Sequence, residues 1–196
     1  MYAASPLHNP MDEKKKWEKA AKAAYEVIAL NAYKLPKITE VPLYKGGDDI
    51  FKSGQLIFER RNYELTNSFE AQNQPMGYQG AKGGNVPTQN LVDAFERGDG
   101  TPFDWNNTEH VKNIYYDAKG KTTRDPRLYL NVLTNGTEWM KETIETFQGG
   151  KHVSLDGSTP TGYYLRKYMN ASVSLNPVKP VKQRHHYILF RYAEIL

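Results

Sequence analysis

Cysteine is absent from this 196-residue chain, which removes disulfides, thiolate metal sites and cysteine nucleophiles together. Long apolar runs are missing too. No stretch approaches the roughly 20 residues that cross a bilayer as a helix, and the opening MYAASPLHNP has neither a charged n-region nor an apolar h-region. The chain is therefore expected to be soluble as it stands and to carry no export signal. Charge of one sign is also modest: 26 basic residues face 22 acidic ones, for a net charge of +4, so no nucleic-acid partner is expected. The densest basic run, KKKWEK from Lys14 to Lys19, alternates with small apolar residues in a helical pattern and reads as a solvated helix face.

Signatures of chemistry are equally scarce. Five histidines, His8, His110, His152, His185 and His186, show no metal-ligand spacing, so no metal is expected. The stretch GYQGAKGG has the composition of a phosphate cradle, but no Lys-Ser or Lys-Thr follows at P-loop spacing and no clear strand feeds it. No cofactor is expected. The G-x-S-x-G elbow of serine hydrolases is absent, and Ser154 and Ser158 lie near His152 only in sequence. Asp48, Asp49, Asp93, Asp104, Asp125 and Asp156 are available for a glycosidase pair, but such a pair is defined by convergence in space, which spacing does not supply. No catalytic residue is assigned. Triplets at Asn106, Asn135 and Asn170 match the N-glycosylation pattern, which acts only in a eukaryotic secretory setting.

What the chain does have is Gly (15), Pro (11) and aromatics (12%, with 14 Tyr), against a hydrophobic fraction of 39%. That mixture points to one domain rich in ordered loops, since disordered chains are poor in aromatics. A helix is predicted over residues 10–34: Asn9 can cap it, Pro10 suits its first turn, and Trp17, Ala20, Ala21, Ala24 and Ile28 recur at helical spacing. Residues 35–184 read as a loop-rich region. Within it, QLIFER (55–60) reads as a strand, and Thr88 caps a short helix with Leu91, Val92 and Phe95 inward. A helical turn is predicted over 109–116. In RDPRLYLNVLTNG, Leu128, Leu130 and Val132 alternate into Asn135-Gly136, predicting a strand and the start of a hairpin; Glu138 to Phe147 fits strand or helix by periodicity, and its Thr and aromatic content favours a returning strand. Asp125 is placed to cap nearby N–H groups or to pair with Arg124 or Arg127. Residues 185–196 read as the start of a helix, because Tyr187, Ile188, Arg191, Tyr192 and Ile195 form a stripe that the chain end leaves uncovered. A fragment of a longer protein is the expectation.

Several stretches, in order, resemble the SusD/RagB family of outer-membrane nutrient-binding proteins: YAASPL, the Trp17 helix, PTQNLVDAFERGDG, FDWNN, RDPRLYLNVLTNG followed by EW, the pair Gly149-Gly150, TPTGYYLRKYMN and HHYILFRYAEIL. The resemblance implies a mainly α fold, tetratricopeptide-like helices carrying a large loop-rich region and a short β-hairpin. This chain, residues 1–196, would be one partial domain of a larger α superhelix. It further implies a lipid-anchored protein at the extracellular face of the outer membrane, with no catalytic residues. Such a protein captures oligosaccharides, or in some branches peptides, and delivers them to a SusC-type TonB-dependent transporter. The signal and lipobox cysteine that such anchoring uses are not in this sequence. A protein-interaction module of the same family is the alternative, and a carbohydrate-active enzyme a more distant one.

Within that reading the motifs build scaffold, and ligand residues belong to the variable loops. Flat aromatic rings in loops suit sugar C–H faces while Asn, Asp and Arg nearby meet hydroxyls. Tyr44, Tyr78 in the Gly-rich loop, and Trp105 are the candidate ligand-binding residues.

Overall fold

The computed structural model describes residues 5–37, 46–153 and 159–196; Tyr44 lies outside them. Among the described residues, five helices and three two-stranded antiparallel ribbons punctuate long loops. The predicted first helix is present as α1, Lys14–Ala29. Its start is displaced from Asn9-Pro10. Asn9 is buried and its Oδ1 accepts the Glu13 N–H at 2.7 Å, but Asp12 adopts φ +52, so one left-handed turn separates cap from helix and Pro10 stays outside. Asn31, at φ +49, closes the far end. None of α1 is buried; Trp17, Ala20, Ala24 and Val27 line a shallow groove with Phe190 and Ile195.

The core is two small clusters that share a ribbon. Helices α2 (Ser68–Asn73), α3 (Gln89–Asp93), α4 (Thr108–Lys112) and α5 (Pro126–Asn131) are each one or two turns long. Strand β1 is Leu56–Arg60, β2 Val132–Leu133, β3 Glu138–Trp139, β4 Glu142–Thr143, β5 Tyr164–Leu165 and β6 Tyr187–Arg191. Strands β2 and β5 pair Val132 with Leu165 and Leu133 with Tyr164. Successive strand residues point to opposite faces, so Val132 enters one cluster, with Val92, Leu128, Tyr129 and Tyr163. Leu133 enters the other, with Trp139, Ile144, Tyr164 and Met169.

Three sequence expectations change. Leu128 to Leu133 is not one strand: the Asp125 carboxylate accepts the Arg127 N–H at 2.7 Å, Pro126 occupies the first helical turn, and α5 forms before β2 begins. Asp-Pro thus acts as a helix-start signal, and Leu128, Tyr129 and Val132 bury the i, i+1, i+4 face. Asn135-Gly136 does turn, with Gly136 at φ +85, but β2 pairs with β5 and not with the return. The segment Glu138 to Phe147 is itself a hairpin, β3 against β4, turning at Met140 and Lys141, whose φ values of 49 and 69 fit the twist of a two-residue loop.

The third correction concerns residues 185–196. Tyr187–Arg191 is a strand, not a helix, and only Tyr192–Glu194 winds, as a 3-10 turn. Three of the four residues in the run YILF are β-branched or aromatic, and β1, far away in sequence, offers it a partner: Glu59 faces Ile188 and Arg60 faces Tyr187, with register slips on either side of Phe58. Tyr187 and Ile188, neighbours in the stripe read as a truncated helix, point to opposite faces of this ribbon, and Tyr192 lies in the turn after it. The predicted strand 55–60, the Thr88-capped helix and the turn of helix near 109 all form.

Polar pairs lock the ribbon to the rest. Glu70 of α2 is fully buried and accepts from Gln183 Nε2 at 2.9 Å and the Asn170 N–H at 3.3 Å, with His185 Nε2 at 3.0 Å. His186 Nδ1 accepts the Asn62 N–H at 3.2 Å, leaving its Nε2–H to donate to Asp48 at 2.8 Å. That hydrogen bond, with Arg184 beside it, holds the Asp48 carboxyl below the usual carboxylate range. Among the described residues no helix is long and apolar enough to cross a membrane.

Candidate functional site

The Arg-Asp-Pro-Arg stretch organises the most complete aromatic and polar surface. Helix α3 is short, and the carbonyls at its end need donors. Arg124, 2% exposed, supplies them: its Nη2 donates to the Val92 carbonyl at 2.8 Å and the Phe95 carbonyl at 2.6 Å, and its Nε to that of Glu96 at 3.4 Å. The Gly98 N–H donates to the Thr123 carbonyl and the Asp125 N–H to the Glu96 carbonyl, both at 2.9 Å, so the exit of α3 is zipped to residues 123–125. Asp125, as expected from its position, caps α5 and also receives Arg127 through Nη2 at 2.5 Å.

The Arg124 guanidinium lies 4.2 Å from the centre of the Phe103 ring, a cation–π contact. Phe103 in turn meets Trp105 edge-on at 5.0 Å, with His110 on it at 5.6 Å. Trp105 Nε1–H donates to Asp93 Oδ1 at 3.1 Å, and Gln89 Nε2 holds the same oxygen at 2.8 Å. The indole is thus fixed by its polar edge while the residue stays 45% exposed. An aromatic ring held this way meets a ligand with little ordering cost.

Arg124 also borders an open cleft of about 590 Å³, lined by Arg97, Asp99, Asn113, Asp117, Lys121 and Thr122 among others. Two tight turns build its walls. Asp99 Oδ1 accepts from the Thr101 hydroxyl at 2.6 Å and its N–H at 3.0 Å, and the hydroxyl bond leads in keeping that carboxyl below its ordinary pKa. Asp117 Oδ1 accepts the N–H groups of Lys119 and Lys121 at 2.8 and 2.9 Å. Behind the cleft the Tyr115 and Tyr163 hydroxyls meet at 2.6 Å, and burial pushes the Tyr115 phenol up.

The described one of the other two residues predicted for binding, Tyr78, lies elsewhere. Tyr78 packs on the second cluster; its hydroxyl donates to the Trp139 carbonyl at 2.9 Å and its ring tilts on His152 at 5.2 Å. Burial, with Glu142 and Glu138 next, pushes its phenol up to about 12. Tyr78 and Trp105 are therefore not brought together, and Tyr44 is outside the described residues. Sequence reasoning missed Phe103, Arg97 and Lys121. The flanking Asp-Gly-Thr and Asp-Ala-Lys-Gly turns were the signal for the last two, since each aims a neighbouring cation. No group of three or more His, Asp or Glu able to hold a metal occurs among the described residues.

A family model described as the SusD family matches residues 50–196, which takes in this platform and cleft whole. The chain belongs to the SusD family. Two solved structures from Bacteroides fragilis NCTC 9343 share the fold of this SusD-family chain. One, described as a SusD-like carbohydrate binding protein, is 22% identical with a TM-score of 0.67 over 93% of this chain and 35% of its own. The other, described as a SusD-like protein, is 22% identical with a TM-score of 0.65 over 99% of this chain and 40% of its own. The chain thus spans well under half the length of these SusD-like structures. No curated protein matches it. Helix α1, at Lys14–Ala29, lies outside the residues matched by the family model.

Proposed function

We propose that this chain is part of a non-enzymatic binding protein at the extracellular face of an outer membrane, capturing oligosaccharide for delivery to a SusC-type TonB-dependent transporter. The exposed indole of Trp105, fixed by Asp93 and stacked through Phe103 on the buried Arg124, which also borders a cleft, is the observation that carries the reading. An indole face covers the C–H face of a sugar, and the cleft's Asn, Asp, Arg and Lys groups meet hydroxyls. Family membership and the name of one SusD-like structure as carbohydrate binding support it. In the same reading α1, with its alanine stripe, belongs to a tetratricopeptide-like superhelix, and a lipid anchor holds the longer protein to the membrane.

Isothermal titration of the chain against a panel of glycans and peptides tests this. Saturable heat with glycans, weakened about tenfold by Trp105→Ala, is the expected result. Heat with peptides alone would sink the glycan reading, and release of reducing sugar from any bound glycan would sink the non-enzymatic one.

A further inference from the structure

Resting on that glycan reading, we propose that the cleft bordered by Arg124 selects an acidic sugar, one carrying a carboxylate or a sulfate, through Arg97 and Lys121. The balance of charge in the lining decides this. The two acids lining the cleft, Asp99 and Asp117, have Oδ1 engaged by the N–H groups of their own turns. They are turn-formers first. The cations are less engaged: Arg97 reaches Asp99 Oδ2 only at 3.9 Å, and the exposed Lys121 ammonium has no acid partner among the described residues. Arg124 also lines the cleft, and its Nη1 is buried without a hydrogen-bond partner among the described residues. The Asn113 amide and Thr122 hydroxyl on the same wall both donate and accept, and leave the balance of charge unchanged.

A neutral sugar hydroxyl both donates and accepts, so it pairs best with a lining in which the two are even. Here positive charge exceeds negative, with Arg97, Lys121 and Arg124 against Asp99 and Asp117. A carboxylate or sulfate only accepts, and Arg97 presents the planar fork that grips such a group at two oxygens. The excess is local: the whole chain is only +4 over 196 residues, so general basicity does not account for it.

The test is isothermal titration of the 196-residue chain with matched glycan pairs: polygalacturonate oligomers against their methyl esters, and carrageenan oligosaccharides against their desulfated forms. The acidic member of at least one pair is expected to bind about tenfold more tightly, and to weaken between about 0.05 and about 0.5 M salt. That preference is expected to vanish in Arg97→Gln/Lys121→Gln with melting unchanged. The pair that responds identifies carboxylate or sulfate. Equal binding within both pairs, or an acidic preference that survives the double variant, overturns the inference. Neutral glycan binding that Trp105→Ala removes would then leave the general reading standing, whereas silence across the whole panel would remove both.

Discussion

Trp105 and Tyr78 are both loop aromatics, both flagged by their surroundings in sequence, and the fold treats them oppositely. Each has its polar atom tied down, Trp105 to Asp93 and Tyr78 to the Trp139 carbonyl. In Tyr78 the hydroxyl points to the core, and the ring follows it into the second cluster. In Trp105 the indole N–H points back to α3, and the ring remains 45% exposed. The polar anchor is common to both; the direction of the anchor decides whether the ring is packing or surface. Arg124 adds to the contrast because it supports the Trp105 platform from beneath, while Tyr78 rests on apolar neighbours and on His152.

That contrast breaks most severely at its support. Arg124→Ala removes three donors from the end of α3 and the partner of Phe103. About 3 kcal/mol of stability should be lost at roughly 1 kcal/mol per hydrogen bond. Urea unfolding checks this, and a midpoint within error of wild type would show that the carbonyls find water instead. Tyr78→Ala should also lower stability, by about 2–3 kcal/mol for a partly buried ring, with glycan affinity unchanged. Lost binding at unchanged melting would return Tyr78 to the ligand face. Trp105→Ala should do the reverse, costing less than about 1 kcal/mol of stability while weakening glycan binding; equal damage by both substitutions would erase the distinction. Asp125→Ala should cost about 1 kcal/mol through the lost α5 cap, read as a lower melting temperature with binding intact.

The smallest effect should come from pH, and only in the Tyr78 region. His152 is fully buried, its Nδ1 accepts the Glu145 N–H at 3.1 Å, and burial, with Lys151 next, lowers its pKa. A base with a lowered folded pKa contributes stability in full above its unfolded value of 6.5. That stability is lost as pH falls below that value towards the folded pKa, because the unfolded chain takes up the proton first. Near-ultraviolet dichroism of the Tyr78 and Trp139 cluster should therefore weaken before the Trp105 region responds. His152→Asn, which keeps an acceptor near the Nδ1 position, should remove the difference.

Local signals were read well where one segment sufficed. Thr88 caps α3 through the Leu91 N–H at 3.3 Å, QLIFER is a strand, and Asp125 caps as its position implied. Reading failed where two segments competed for the same pattern. Leu128, Leu130 and Val132 fit period two, yet Asp-Pro immediately before them is a helix start, and the nucleus with a cap and a preset φ wins. At Tyr187–Arg191 helical spacing lost to a strand partner more than a hundred positions away. The same limit hid the cleft. Arg97 and Arg124 form an isolated bridge across the exit of α3, a juxtaposition that no window of the sequence contains.

The sequence by itself determined the kind of molecule: a cysteine-free, loop-rich chain of the SusD family, with its turns and caps written as Asp-Gly, Asn-Gly, Thr88 and Asp125. Those features are local, because a cap or a turn needs only the residues within a few positions of it. Tertiary structure alone decided which aromatic faces outward, where β6 finds its partner, and which cations share a cleft. Exposure and charge proximity arise between segments that the chain brings together only on folding. Arg124, buried among the carbonyls of one helix and stacked on a ring that carries Trp105, is where local motif and distant surface meet.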